Sequence, residues 1–249
     1  FTPSCFAKNA NKKGIKLYNI LFMAVSIQIE LNDKLYIRDP QQTKLGKKIL
    51  QHSIILIDKI GFEKFTFKKL AEAIESTEAS VYRYFENKHK LLIYLVSWYW
   101  EWVKFQIDFH TMNIKNPKIK LEKILSVIVE SSKENPIIEH IDEQILHRIV
   151  IAEASKAYHT KEVDEENEDG FFSTYKSLCE KIANVITEIN PEFPYPRALS
   201  STLLEMTNDN IYFAEHLPSL TDIRIPDKDD LSPVHKLLEF FAFRLICKD

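Results

Sequence analysis

The sequence predicts an all-α fold: a three-helix unit with helix-turn-helix spacing, followed by a larger helical body. Three observations carry that reading. Glycine is scarce, with only Gly14, Gly46, Gly61 and Gly170 in 249 residues, while Leu, Ile, Lys and Glu are plentiful. Apolar residues recur at helical rather than strand spacing along most of the chain. Capping residues and prolines punctuate those stripes at regular intervals. Few glycines also argue against a phosphate-cradling loop, which needs residues that tolerate positive φ and close backbone approach.

The N-terminal end is the exception to the helical pattern. Lys12, Lys13 and Lys16 precede the apolar run from Leu17 to Ile27. The run lacks a small-x-small cleavage site and is too short to span a membrane. The reading adopted is that the native chain begins at Met23 and that residues 1–22 are a non-native or disordered leader. In the extension over 23–42, Ile27, Ile29 and Leu31 alternate with polar residues, Asn32-Asp33 turns the chain, and Leu35 and Ile37 alternate again. That is a short β-hairpin pattern.

A helix-turn-helix domain is assigned to 43–90. Thr43 precedes an amphipathic helix with Leu45, Ile49, Leu56, Ile57 and Ile60 on one side, and Gly61 stands at its C-terminal end. Thr66 caps a second helix that buries Phe67, Leu70, Ala71 and Ile74. Thr77 caps a third, with Val81 and Phe85 one turn apart, and Asn87 caps a fourth. The body, 91–249, continues helix four to about His110, with Leu91, Leu95, Trp98, Trp102, Phe105 and Phe109 in one stripe. Further helices are expected over 117–134, 137–158, 171–189, 195–217 and 231–247, with the acidic tract Glu162–Asp169 as a solvated loop.

Charge is unevenly distributed. From Thr43 to Leu92 there are ten Lys or Arg against six Asp or Glu, a net of +4, within a chain whose net charge is −3. A basic unit on an acidic body fits a local nucleic-acid footprint. Lys68 and Lys69 open helix two, and Lys88 and Lys90 open helix four. Cations in a first turn oppose the helix macrodipole, at a cost of roughly 0.3–1 kcal/mol each. Two neighbouring helices that break this rule point to an anion at their N-termini, and phosphate fits. The plainer reading of each pair alone is a solvated lysine surface.

The stretch Leu70-Ala71-Glu72-Ala73, then Val81-Tyr82-Arg83-Tyr84-Phe85-Glu86-Asn87-Lys88, then Leu91-Leu92 resembles the DNA-binding module of the TetR/AcrR family of transcriptional regulators. The resemblance covers 43–92, about a fifth of the chain. It implies a recognition helix over Thr77–Tyr84 with Glu78, Ala79, Ser80, Tyr82 and Arg83 facing the groove. It also implies phosphate contacts from Thr77, Tyr84 and Lys88, with Lys68 and Lys69 beside them. Two departures from the family pattern stand out. Glu75 occupies the turn position usually held by Gly, and Glu78 places an acid toward DNA. The resemblance further implies a homodimer on a near-palindromic double-stranded operator, while the tryptophan run fits an apolar or aromatic small-molecule effector, and the unpaired cysteines and short apolar run fit a cytoplasmic protein without a membrane segment.

Within the body, all three tryptophans fall in Ser97–Trp102. Trp98, Trp102, Phe105, His147 and Tyr175 are the candidate lining of an effector pocket, against the plainer reading that they are core. Apolar stripes at Phe171–Ile189, Leu199–Leu217 and Val234–Leu245 are candidates for the dimer face or for monomer core. His140, Glu143 and His147 share a helical face, but no further ligand pattern supports a metal there, so neither a metal nor a cofactor is expected. Cys5, Cys179 and Cys247 are far apart and form no CxxC, as expected of free thiols. No catalytic motif is present, so no catalytic residue is assigned. The resulting expectation is a DNA-binding transcriptional regulator working as a ligand-released dimeric repressor. One alternative is the same fold without a small-molecule ligand; another is a helical enzyme or carrier using a Trp-lined cavity.

Overall fold

The computed structural model describes residues 29–131, 140–227 and 230–247, and among them every regular element is helical. The proposed leader and the Met23 start lie outside the described residues. The first four helices are α1 (Lys44–Ile60), α2 (Phe67–Ala73), α3 (Glu78–Tyr82) and α4 (Lys88–Thr111). The next four are α5 (Pro117–Glu130), α6 (Glu143–Glu153), α7 (Ser155–Tyr158) and α8 (Val163–Glu168). The last three are α9 (Ser173–Ile189), α10 (Pro196–His216) and α11 (Ser232–Ile246).

Capping chemistry sets the helix starts. Thr43, Thr66, Thr77 and Asn87 each accept a backbone N–H two or three positions into the next helix, satisfying donors the first turn cannot satisfy. α1 ends at Gly61, whose φ of 75° and ψ of 155° lie in a region open essentially only to glycine. The apolar stripe of α1 buries Ile49, Leu50, Ile54 and Ile57.

α4 is the axis of the molecule. Its residues Leu91 to Trp100 are buried all round, as expected for a helix enclosed on every side. Its N-terminal half meets the head, α1 to α3 with the segment before them, through the 3-10 turn at Asp33–Leu35, the Phe85–Tyr94 ring pair and Lys88, and the rest is wrapped by α5, α6, α7 and α9. α9 pairs with α10, and α11 lies across α10 and α5. One apolar core runs without interruption from Ile29 to Ile246. The head and the body are therefore joined through α4 and through α1 packed on α6.

Three expectations need correction. Residues 29–42 form no strand. Asn32 does turn the chain, but into a 3-10 turn at Asp33–Leu35, and a second one covers Pro40–Gln42. A lone hairpin is marginal in water, and this segment pairs elsewhere. The Gln41 amide brackets the backbone of Ile29, and the Ile37 N–H donates to Tyr84 O at 2.8 Å. The segment is a strap across the head, with Leu35 fully buried and the Tyr36 ring edge-on to Tyr94. The acidic tract is a short helix rather than a solvated loop. Glu166 turns inward to His89 at 2.8 Å, while Asp169 binds Lys34 and Asn32 of the strap. Finally, the helix expected over 137–158 begins, among the described residues, only at Glu143 and breaks at Ala154, just before α7, and its first three residues lie outside the described residues.

Candidate nucleic-acid interface

α2, a four-residue turn and α3 form the helix-turn-helix. The turn closes with Ser76 N–H to Ala71 O at 2.9 Å and Glu75 N–H to Glu72 O at 3.2 Å, the two bonds of a Schellman motif. This motif requires a left-handed residue between them, and Glu75 takes that position with φ 55°. The acid at the usual glycine position therefore leaves the geometry intact while storing backbone strain. Thr77 then starts α3: its Oγ1 accepts the Ser80 N–H at 3.3 Å and lies 2.8 Å from the Ser80 hydroxyl.

Val81 and Phe85 are fully buried and fix α3 against Phe67, Leu70 and Ala71. The opposite side of α3 presents Thr77, Glu78, Ala79, Tyr82 and Arg83 to solvent, with Ser80 half-buried. Tyr82 is 47% exposed, its ring edge braced on Phe67 at 5.0 Å. Lys68 and Lys69 are exposed at the start of α2, and the Lys69 ammonium also reaches Lys64 O at 2.8 Å.

Two residues expected to touch phosphate are otherwise engaged. The Lys88 ammonium donates to the carbonyls of Phe62, Glu63 and Phe65 at 3.0, 3.1 and 3.3 Å and sits over the Phe62 ring. Three donors meet three acceptors there, so Lys88 holds the α1–α2 loop. Tyr84 is only 3% exposed, and its hydroxyl lies 2.7 Å from Thr43 Oγ1, tying the end of α3 to the start of α1. Lys90 is also paired, with Glu86 at 2.7 Å. Sequence spacing could not reveal these partners: the carbonyls lie 23–26 positions from Lys88, and Thr43 lies 41 from Tyr84.

The five candidate pocket residues do not form one lining. Trp98 and Trp102 stack at 6.2 Å between ring centroids, and Trp102 stacks on Phe105 at 5.6 Å. His147 instead stacks on Tyr99, and Tyr175 packs on Trp100 and Tyr158. Each step of 100° along α4 sends neighbouring aromatic residues to different sides. Among the described residues, the indole N–H groups of Trp98 and Trp102 are buried without an acceptor. Burial holds the His147 imidazole well below the usual histidine range, at about 4, and a hydrogen bond with Asn208 only partly opposes this.

Two clefts were not legible in the sequence. A groove of about 680 Å³ runs between α4, α5 and α9, lined by Lys104, Asp108, Lys120 and Lys181 among others. A second, of about 330 Å³, lies where α1 meets α6 and α10. Beside it Arg148 makes a two-pronged bond to Asp58 at 2.9 and 3.0 Å, and Glu153 accepts the Phe62 N–H at 3.0 Å. Head and body are thus bonded at the loop that Lys88 also holds. Among the described residues no group of His, Cys, Asp and Glu is arranged to hold a metal, and no helix is long and apolar enough to cross a membrane.

Residues 49–95 match the bacterial regulatory proteins of the tetR family. Over 124 residues the chain is 27% identical to the HTH-type transcriptional repressor KstR of Rhodococcus jostii (strain RHA1), covering 49% of this chain and 55% of that protein. The chain thus spans about half the length of the curated relative it matches. The crystal structure of AibR in complex with isovaleryl coenzyme A and operator DNA has a similar fold, with a TM-score of 0.53 and 14% identity over 80% of this chain and 98% of that one. Residues 49–95, which hold most of the capped helix-turn-helix, thus match the tetR family of bacterial regulatory proteins.

Proposed function

We propose that this protein is a cytoplasmic, dimeric DNA-binding repressor released from its operator by a small molecule, and that it is a regulator rather than an enzyme. The observation that carries the reading is the exposed face of α3, Thr77 to Arg83, mounted on a buried core and flanked by Lys68 and Lys69. Such a face presents side chains to base edges while the flanking cations meet phosphate. We assign the DNA-binding role to Lys68, Lys69, Thr77, Glu78, Ala79, Ser80, Tyr82 and Arg83. The head lies within 43–90 and the sensing and dimerisation unit within 91–249.

Dimerisation places two such faces about 34 Å apart, one turn of DNA. The exposed apolar side chains Phe240, Phe241 and Leu245 on α11, with Leu217 after α10, support a dimer face there. The two unsatisfied indole donors beside Phe105 support an effector that is largely apolar and carries an acceptor oxygen. A buried donor without a partner costs about 1–3 kcal/mol, which such an oxygen would recover. α4 carries both tryptophans and the attachment of the head. An effector bound there has a direct route to the spacing of the two recognition helices.

The test is selection of duplexes from random DNA, followed by fluorescence anisotropy with the wild-type chain and with Arg83→Ala. Tight binding with relaxed preference at a fixed base position in the variant supports the reading. Absence of any enriched duplex removes it. Apolar carboxylates and acyl thioesters, screened for release of that duplex, test the effector step.

A further inference from the structure

We propose that Arg38, on the N-terminal strap, makes the DNA phosphate contact at the C-terminal end of the recognition helix. The proposal rests on the DNA-binding reading above and adds a contact from outside the helix-turn-helix.

A helix lying in a major groove has a phosphate wall at each end, and a cation or hydroxyl at each end fixes its register. At the start of α3 the exposed Thr77 serves, with Lys68 and Lys69 on the neighbouring helix. At the other end the obvious groups are occupied. Lys88 is bound to three carbonyls, Lys90 to Glu86, and the Tyr84 hydroxyl to Thr43.

The strap covers that end. The Ile37 N–H donates to Tyr84 O at 2.8 Å, which places the next residue directly over the Tyr84 ring. The Arg38 guanidinium carbon stands 5.7 Å from the ring centroid. Arg38 is exposed, and among the described residues it forms no ion pair with a carboxylate. A guanidinium held over an aromatic face keeps its N–H edge free for an anion.

The strap is anchored well enough to present the side chain. Leu35 is fully buried, Tyr36 packs on Tyr94, Pro40 rests against Gly46, and Asn32 bonds to Asp169 O at 2.8 Å. Arg38 therefore replaces the buried Tyr84 as the exposed polar group at this corner.

The experiment is anisotropy of the full chain on a duplex selected by wild type, across a salt series. It compares Arg38→Gln, Arg38→Lys, Tyr84→Phe and the exposed body control Lys118→Gln. Loss of one phosphate contact lowers the slope of log K against log salt by about 0.9 per protomer. The expected result is that loss for Arg38→Gln alone, with base preference unchanged and the slope retained by Arg38→Lys. An unchanged slope in Arg38→Gln overturns the proposal. So does an equal loss in Arg38→Lys, which would assign Arg38 to packing, or a loss in Tyr84→Phe without one in Arg38→Gln. Wild type that selects no duplex is a different failure, that of the DNA-binding reading itself.

Discussion

Replacing Glu75 with glycine stabilises the fold. Glu75 is the single non-glycine residue with positive φ among the described residues, at 55°, and its side chain is exposed. An L-residue in the left-handed region costs roughly 1–2 kcal/mol relative to the right-handed one. Glycine removes that strain but widens the unfolded ensemble, which returns about 0.4–1 kcal/mol. The net expectation for Glu75→Gly is a gain of about 0.5–1 kcal/mol, and none for Glu75→Ala, which keeps the strained Cβ. For a chain of this size that gain is about 1–3 °C in Tm. The assay is urea unfolding at fixed protein concentration, since dimerisation adds to apparent stability, with agreement between fluorescence and circular dichroism as the two-state check. If Glu75→Gly is no more stable than Glu75→Ala, the strain argument is wrong and the turn owes its shape to something other than backbone preference.

Other substitutions probe the remaining contacts. Lys88→Met leaves three loop carbonyls without their donor and should destabilise the head by about 2 kcal/mol, with the salt slope of DNA binding unchanged; a shallower slope would return Lys88 to the phosphate. Gly46→Ala puts a Cβ 2.2 Å from Pro40 O, so the strap must shift, at a cost of about 1–3 kcal/mol; limited proteolysis should cut the strap earlier than in wild type. His147, held at about 4 by burial, is neutral in the fold, whereas the unfolded chain takes up a proton below about 6.5. Its contribution to stability is complete above about 6.5 and declines by up to about 1.4 kcal/mol per pH unit as pH falls toward 4. His147→Gln should flatten that part of the stability profile, and an unflattened profile would place the titration elsewhere.

Helix positions were largely legible because they depend on neighbours in sequence. Caps at Thr43, Thr66, Thr77 and Asn87 act across three residues, and Pro117 starts a helix through its own fixed φ. Position 75 was marked only by the family resemblance, which places glycine there; its left-handed φ is set by the Schellman bonds of the turn. The strap misled because alternating apolar residues suit a hairpin, whereas its backbone donors found Gln41 and Tyr84 instead of a partner strand. The acidic tract misled because composition records charge but not direction, and Glu166 points inward to His89.

The sequence by itself determined the helical class, the start of each helix in the head and the pattern that marks the helix-turn-helix, because these follow from local capping, periodicity and turn chemistry. Only the tertiary structure decided which polar groups remain free to meet a partner. Lys88 and Tyr84 carry groups suited to phosphate, yet carbonyls and a hydroxyl far along the chain hold them. Arg38 lies outside the motif and is left exposed at its edge. Availability depends on which distant groups folding brings within hydrogen-bond reach.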